Sequence, residues 1–299
     1  MKDHRIVVGV DGSDASSQAL AWALHEAHLR SAALEVVLAW SYPPVPSMTA
    51  FGSIPLTDFE AAANATIAEL VARVGSEAEA ADVELIPRAV MDSPAGALLS
   101  ASTDADLLVV GSRGRGELKG LLLGSVGQHC ATHAHGAVAI VPPSGARETD
   151  AGTGTGRVIV GVDGSPGSNA ALRWAMEDAT LRETSVVALL AYSYLAPYGP
   201  LGSIAFEPDY SEADAVAALE AIVTRVASAS PEVEIERRVV CDLPAPALHR
   251  AAGPDDVIVI GARGLGGFKG LLLGSVSLKT ATHAACPVVI VHQPEPDQG

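Results

Sequence analysis

Two stretches of this chain carry residue types spaced to hold a phosphate. The first is Gly111-Ser-Arg-Gly114-Arg-Gly-Glu-Leu-Lys119-Gly-Leu-Leu-Leu-Gly124-Ser125. The second repeats it as Gly261-Ala-Arg-Gly264-Leu-Gly-Gly-Phe-Lys269-Gly-Leu-Leu-Leu-Gly274-Ser275. Glycines let a backbone turn sharply and approach a ligand without interference from a Cβ. The amides of such a loop, with those opening the next helix, can converge on an anion. Each loop follows a short apolar run, Leu107–Val110 or Val257–Ile260, that reads as a buried parallel strand, and each leads into a helix that opens at Gly-Ser-Val.

A carboxylate accompanies each loop. Ile6-Val-Val-Gly-Val-Asp11-Gly-Ser13 matches Val158-Ile-Val-Gly-Val-Asp163-Gly-Ser165, so Asp11 and Asp163 both end a first strand. Aspartate there often serves only to start a turn. Ser13 and Ser165-Pro166 already suit the helix-capping roles, which leaves the carboxylates for a ligand. Arg113/Arg263 and Lys119/Lys269 are the cations held in both loops; they either neutralise phosphate or lie solvated.

The elements that must position these residues come from a tandem duplication. Asp11/Asp163, Trp22/Trp174 and Tyr42/Tyr194 keep an offset of 152, while Gly52/Gly202, Asp92/Asp242, Gly111/Gly261 and Ser125/Ser275 keep 150. A two-residue shortening between Tyr194 and Gly202 accounts for the change. Each half alternates strand and helix, which implies a parallel doubly wound sheet with right-handed crossovers. In the first half a helix is expected from about Asp58 to Ala80, a strand near an edge at Val83–Met91, and a last strand at Ala137–Val141. The expected domains are residues 1–143 and 157–293, joined by a polar, flexible linker at 144–156. The apolar last strands, Ala137–Val141 and Pro287–Val291, are edges that must be paired or covered.

Composition narrows the function classes. Nineteen basic against thirty-five acidic residues give a formal charge of −16, which argues against a nucleic-acid footprint. No apolar stretch approaches membrane-spanning length. The N-terminus does not read as a secretion signal. Three scattered cysteines, Cys130, Cys241 and Cys286, suggest a reducing compartment and small core-filling roles, and the location expected is cytoplasmic. His129, Cys130, His133 and His135 have a metal-like spacing, but only His133 recurs, as His283, so no metal site is expected.

The spacing Gly-x2-Gly-x9-Gly-Ser in both halves resembles the nucleotide-binding loop of the universal stress protein family. Val-Asp-Gly-Ser after strand 1 and the Thr-His-Ala of Thr132 and Thr282 before strand 5 fit it as well. Two such domains in one chain look like the tandem members of actinobacteria. The resemblance implies two Rossmann-like domains of the adenine nucleotide alpha hydrolase-like type. Each is a five-stranded parallel sheet of order 3-2-1-4-5 with helices on both faces. That order puts a ligand crevice between strands 1 and 4. It also implies a ligand, ATP, alone or with Mg2+. Asp11 and Asp163 would touch the adenine side, and Ser41 and Ser193 at the end of strand 2 would give backbone contacts. Gly111, Gly114, Gly124, Ser125 and Val126 would hold ribose and phosphates in the first half, with Gly261, Gly264, Gly274, Ser275 and Val276 doing so in the second. The family pairs through the last strand, so the halves are expected to pair as a pseudo-dimer and two chains to form a homodimer.

Three functions remain open at this stage. The first is a nucleotide-dependent regulatory or stress-response module, with an adenine nucleotide in each half and a regulatory protein partner, and without a turnover step. The second is an ATP-hydrolysing or nucleotidyl-transferring enzyme on the same fold. Against it, the place of the Ser-Gly-Gly-x-Asp-Ser pyrophosphatase loop holds Val10-Asp11-Gly12-Ser13, and no P-loop is present. The third is a scaffold with relic sites, which the intact loops in both halves oppose.

Overall fold

The computed structural model describes residues 4–41, 56–74, 82–114, 123–143, 156–192, 211–228, 233–265 and 272–293. The first half runs β1 (Arg5–Gly9), α1 (Asp14–Arg30), β2 (Ala33–Trp40), α2 (Leu56–Val74), β3 (Leu85–Met91), α3 (Pro94–Ala101), β4 (Leu107–Gly111), α4 (Ser125–His133) and β5 (Ala137–Val141). The second half repeats the series as β6 (Val158–Gly161), α5 (Pro166–Leu181), β7 (Val186–Tyr192), α6 (Glu212–Ala227), β8 (Ile235–Cys241), α7 (Pro244–Ala251), β9 (Val257–Gly261), α8 (Ser275–His283) and β10 (Val288–Val291). The helix expected at 58–80 is α2, and its expected last turns at 75–80 lie outside the described residues.

All ten strands form one sheet of order β3-β2-β1-β4-β5-β10-β9-β6-β7-β8. Within each half the neighbours are parallel and the order is third, second, first, fourth, fifth. The strand expected near an edge, β3, is an edge, as is its repeat β8. β4 and β5 are apolar throughout, and β1 is so after Arg5, because helices cover both faces. Ile6 and Val8 pack with Leu20 and Leu24 of α1 on one face, while Val7 packs with Leu98 of α3 and Ala131 of α4 on the other. The sheet is thus the middle of three layers.

The halves join through their last strands. β5 and β10 run antiparallel with Val288 opposite Ile140 and Val291 opposite Ala137, so the two apolar edges satisfy one another within the chain. A consequence follows for the crevices. Because those two strands oppose each other, the C-terminal strand ends of the two halves point in opposite directions.

Helices α1 and α5 meet across the same junction through four charges. Arg30 pairs with Glu26 at 3.2 Å and with Asp178 at 2.5 Å; Arg182 pairs with Asp178 at 2.7 Å and also with Glu26. Glu26 matches Asp178 and Arg30 matches Arg182 at the repeat offset, so each half supplies the same acid–base pair. Both carboxylates have no exposed side-chain surface, and the arginines retain 15% and 14%. Arg30 also lies over the Trp174 ring, 4.9 Å from its centroid. Trp22 and Trp174 are half-buried and pack against the core.

Two expectations about small residues separate here. Cys130 and Cys286 are buried, and burial pushes both thiols up to about 12, which leaves them unreactive. Cys241 is exposed, because it ends β8, an edge of the sheet among the described residues; the core-filling role does not apply to it.

Candidate functional site

Each half closes its first strand with the same turn. Asp11 Oδ1 accepts from the Ser13 amide at 2.9 Å, and Asp163 Oδ1 accepts from the Ser165 amide at 2.9 Å. The intervening Gly12 and Gly164 have φ of +77° and +83°, the left-handed region that a side chain disfavours. Ser13 and Ser165 then cap α1 and α5, accepting from the amides of Ser16 at 3.2 Å and Ser168 at 3.1 Å. The second carboxylate oxygen of each aspartate is left pointing across to the glycine loop.

The loops meet those carboxylates. A Cβ on Gly114 would lie 2.8 Å from Asp11 Oδ2, and one on Gly264 would lie even closer to Asp163 Oδ2. Asp163 Oδ2 also accepts from the Leu265 amide at 2.9 Å. At the strand ends the backbones nearly touch. A Cβ on Gly111 would be 2.9 Å from the Ala15 carbonyl oxygen, and one on Gly261 would be 2.6 Å from the Gly167 carbonyl carbon. Glycine is required there so that the start of the first helix can rest on the end of the fourth strand.

The next helix supplies amides. α4 and α8 start after Gly124 and Gly274, which are extended and have no side chain to cap the first turn. The first-turn amides of Ser125 and Val126, and of Ser275 and Val276, therefore face the crevice without a side-chain acceptor. A helix N-terminus in that state favours an anion.

The sites are two crevices of about 310 and 380 Å³. Asp11, Gly111, Arg113, Gly114, Gly124, Ser125 and Val126 line the first, and their repeats Asp163, Gly261, Arg263, Gly264, Gly274, Ser275 and Val276 line the second. Ser41 is exposed directly after β2 and is not part of that lining. Ser193, Lys119 and Lys269 lie outside the described residues. Arg113 and Arg263 are both exposed at the rim.

Several lining residues were not singled out from the sequence. Val37, Ala39, Pro94 and Leu98 give the first crevice an apolar wall; Leu189, Ala191, Pro244 and Leu248 do so in the second. Ser168 Oγ accepts from the Asp163 amide at 3.3 Å and donates to the Ser165 carbonyl at 3.0 Å. A usable signal existed: Pro94/Pro244, Leu98/Leu248 and Ser16/Ser168 are unchanged between the repeats. The halves also differ. Gly127 in the first crevice is Ser277 in the second, whose hydroxyl donates to the Gly261 carbonyl at 2.8 Å.

Electrostatics favour a charged aspartate in the second crevice. Burial alone would raise the Asp163 carboxyl, but hydrogen bonds from Ser165, Leu265 and Ser168 outweigh it and hold the group below its ordinary 3.8. A lowered value stabilises the fold fully above 3.8, and that contribution is lost as pH falls through the lowered value. Carboxyl carbon NMR should accordingly show Asp163 titrating below 3.8; a midpoint above it would contradict the hydrogen-bond assignment.

The recurring histidines, read as packed or hydrogen-bonded structural residues, are the hydrogen-bonded kind. His133 and His283 are exposed, and each Nδ1 donates to the carbonyl one turn back, His129 at 3.0 Å and Lys279 at 3.1 Å. Among the described residues no group of three or more histidine, cysteine, aspartate or glutamate side chains is placed to hold a metal. No described helix is long and apolar enough to cross a membrane.

Comparison with known proteins agrees with this architecture. The profile of the universal stress protein family matches residues 3–142 and again 154–292. A universal stress protein of Mycobacterium tuberculosis is 33% identical over 309 aligned residues, covering 97% of this chain and 95% of the relative. A crystal structure of a universal stress protein from Archaeoglobus fulgidus superposes with a TM-score of 0.67 at 16% identity, covering 98% of this chain and 99% of that one. A universal stress protein solved in complex with cAMP is 33% identical over 48% of this chain and 100% of its own, with a TM-score of 0.37.

Proposed function

Because this chain belongs to the universal stress protein family, we propose that it is a regulatory protein binding one adenine nucleotide, ATP, in each half. The observation that carries the reading is the duplicated meeting of an aspartate, a glycine loop and an uncapped helix start in one crevice. Each part suits one part of a nucleotide. The apolar walls of Val37, Ala39 and Leu98, or Leu189, Ala191 and Leu248, take a flat base. Asp11 or Asp163 accepts hydrogen bonds from base or sugar. The first-turn amides of α4 or α8 take phosphate. Crevices of 310 and 380 Å³ fall at the lower end of ligand sites, which span roughly 300–1,000 Å³. Any magnesium accompanying the nucleotide is held through its phosphates.

Binding without a dedicated turnover step is part of the proposal. The hydroxyl beside the second aspartate, that of Ser168, donates to the Ser165 carbonyl at 3.0 Å, and among the described residues no histidine or lysine lines either crevice to activate it. Mass spectrometry of ligand released from purified protein tests the reading, and adenine nucleotide is the expected result. An ATP turnover assay tests the regulatory part. Steady release of product at ordinary enzyme rates, roughly 1–10³ s⁻¹, would replace it with the enzyme reading.

A further inference from the structure

A third cavity, of about 700 Å³, opens where the halves meet. The end of α4 and the turn after it bring His133 and His135 from the first half. The second half brings Arg263 from the loop after β9, His292 from the end of β10, and Ser165, Pro166 and Gly167 from the start of α5. This convergence follows from the antiparallel junction, which sets the C-terminal end of α4 beside the glycine loop of the opposite half. Among the described residues, every titratable group in the lining is a base, although the chain as a whole has a net charge of −16.

The repeat sharpens the case. At the matching positions the other junction has His283, Ala285, Pro142 and Arg113, and Asp14 stands in place of Pro166. Among the described residues, one junction therefore collects three imidazoles and an arginine with no acid. Its mirror image keeps one imidazole and gains a carboxylate.

The hydrogen bonds fix which imidazole atoms face the cavity. His292 Nε2 lies 3.0 Å from the Ala131 carbonyl, which only accepts, so Nε2 carries the proton and Nδ1 is left for the cavity. His133 is anchored through Nδ1 to the His129 carbonyl and stacks on the His129 ring at 4.2 Å, which leaves its Nε2 outward. Burial holds His292 below its ordinary value; although the Ala131 carbonyl opposes this, Arg263, His135 and His133 add to the lowering. A bound anion would relieve that crowding of positive groups.

We propose that this junction cavity is a binding site for a phosphate-bearing small molecule, held by Arg263, His133, His135 and His292 and filled preferentially when the imidazoles are protonated. The site is separate from the second nucleotide crevice but shares Arg263 and Gly264 with it. Occupancy of one would therefore be felt by the other through the same arginine.

The test uses the full chain and pyrophosphate as the probe, read by imidazole NMR. Pyrophosphate can also enter the glycine loops, so the signals of His135 and His292 are the reporters, assigned with His135→Ala and His292→Gln. At about pH 6 pyrophosphate should shift both signals and raise the titration midpoint of His292, with affinity falling about tenfold by about pH 8 as positive charge is lost from the cavity. In a variant carrying both His135→Ala and His292→Gln, the signal of the remaining imidazole, His133, should no longer respond to pyrophosphate, while ATP binding is not reduced. Asp163→Asn, which lies outside this lining, should leave the effect intact even where it weakens the nucleotide. Silent imidazole signals, equal affinity at both pH values, or shifts confined to the glycine-loop amides would each overturn the proposal. The measurement is made without ATP, so its outcome is separate from that of the nucleotide proposal.

Discussion

Gly264→Glu should give a folded chain that binds one nucleotide in place of the two proposed for the natural chain. Gly264 is exposed at the crevice rim, so the helices and strands beneath it do not depend on its size. Its Cα nevertheless lies so close to Asp163 Oδ2 that any Cβ displaces the carboxylate from its seat. A glutamate adds a negative charge where phosphate is to bind. A like charge about 4 Å away costs ~4 kcal/mol at an effective dielectric near 20, on the order of a thousandfold in affinity. Gly114→Glu should do the same to the first crevice, and the double substitution should bind none. Gly264→Ala separates the two causes, because it displaces Asp163 without adding charge and should lose less. Circular dichroism checks the fold and calorimetry counts the sites. Two undiminished sites in both single variants would refute the loop assignment.

The second large effect concerns the charge quartet between α1 and α5. Removing one carboxylate, as in Asp178→Ala, leaves Arg30 and Arg182 largely buried beside one acid instead of two. Breaking a buried pair from one side costs about 3–5 kcal/mol, whereas replacing all its members with apolar groups of similar volume is often neutral. Denaturant unfolding should therefore rank Asp178→Ala well below the natural chain, and a variant apolar at all four positions above Asp178→Ala. Equal stability of the single variant and the natural chain would show that the quartet contributes nothing. The pH dependence has a definite sign as well. Burial, reinforced by Asp178, holds the Glu26 carboxyl above its ordinary 4.5 against the opposing pull of Arg182 and Arg30. Its contribution is fully present below 4.5 and is lost as pH rises through the raised value. Glu26→Gln should flatten that slope.

The contrast between the quartet and the crevices shows what a sequence can reveal. The glycine loops and strand-end aspartates were legible because repetition marks them and because glycine has few other reasons to recur in register. The pairing of β5 with β10 was legible from two all-apolar edge strands that needed cover. Glu26–Arg30 and Asp178–Arg182 were equally repeated, yet an acid four residues before an arginine ordinarily marks a solvated helix face. Only the antiparallel junction turns those two faces toward each other and buries them. The histidine cavity was hidden for a related reason. Aligning the halves compares equivalent positions, whereas His133, Arg263 and His292 are juxtaposed without being equivalent. Cys241 shows the same limit at an edge, since its residue type suggests core while the strand order leaves it in solvent.

The central claim is that each half holds one adenine nucleotide between its aspartate and its uncapped helix. Native mass spectrometry of the intact chain titrated with ATP and magnesium tests it most directly, because each bound nucleotide adds its own mass. The account predicts a species with two nucleotides per chain, reduced to one by Gly114→Glu or Gly264→Glu. A natural chain that stays free of nucleotide under saturating ATP would contradict it.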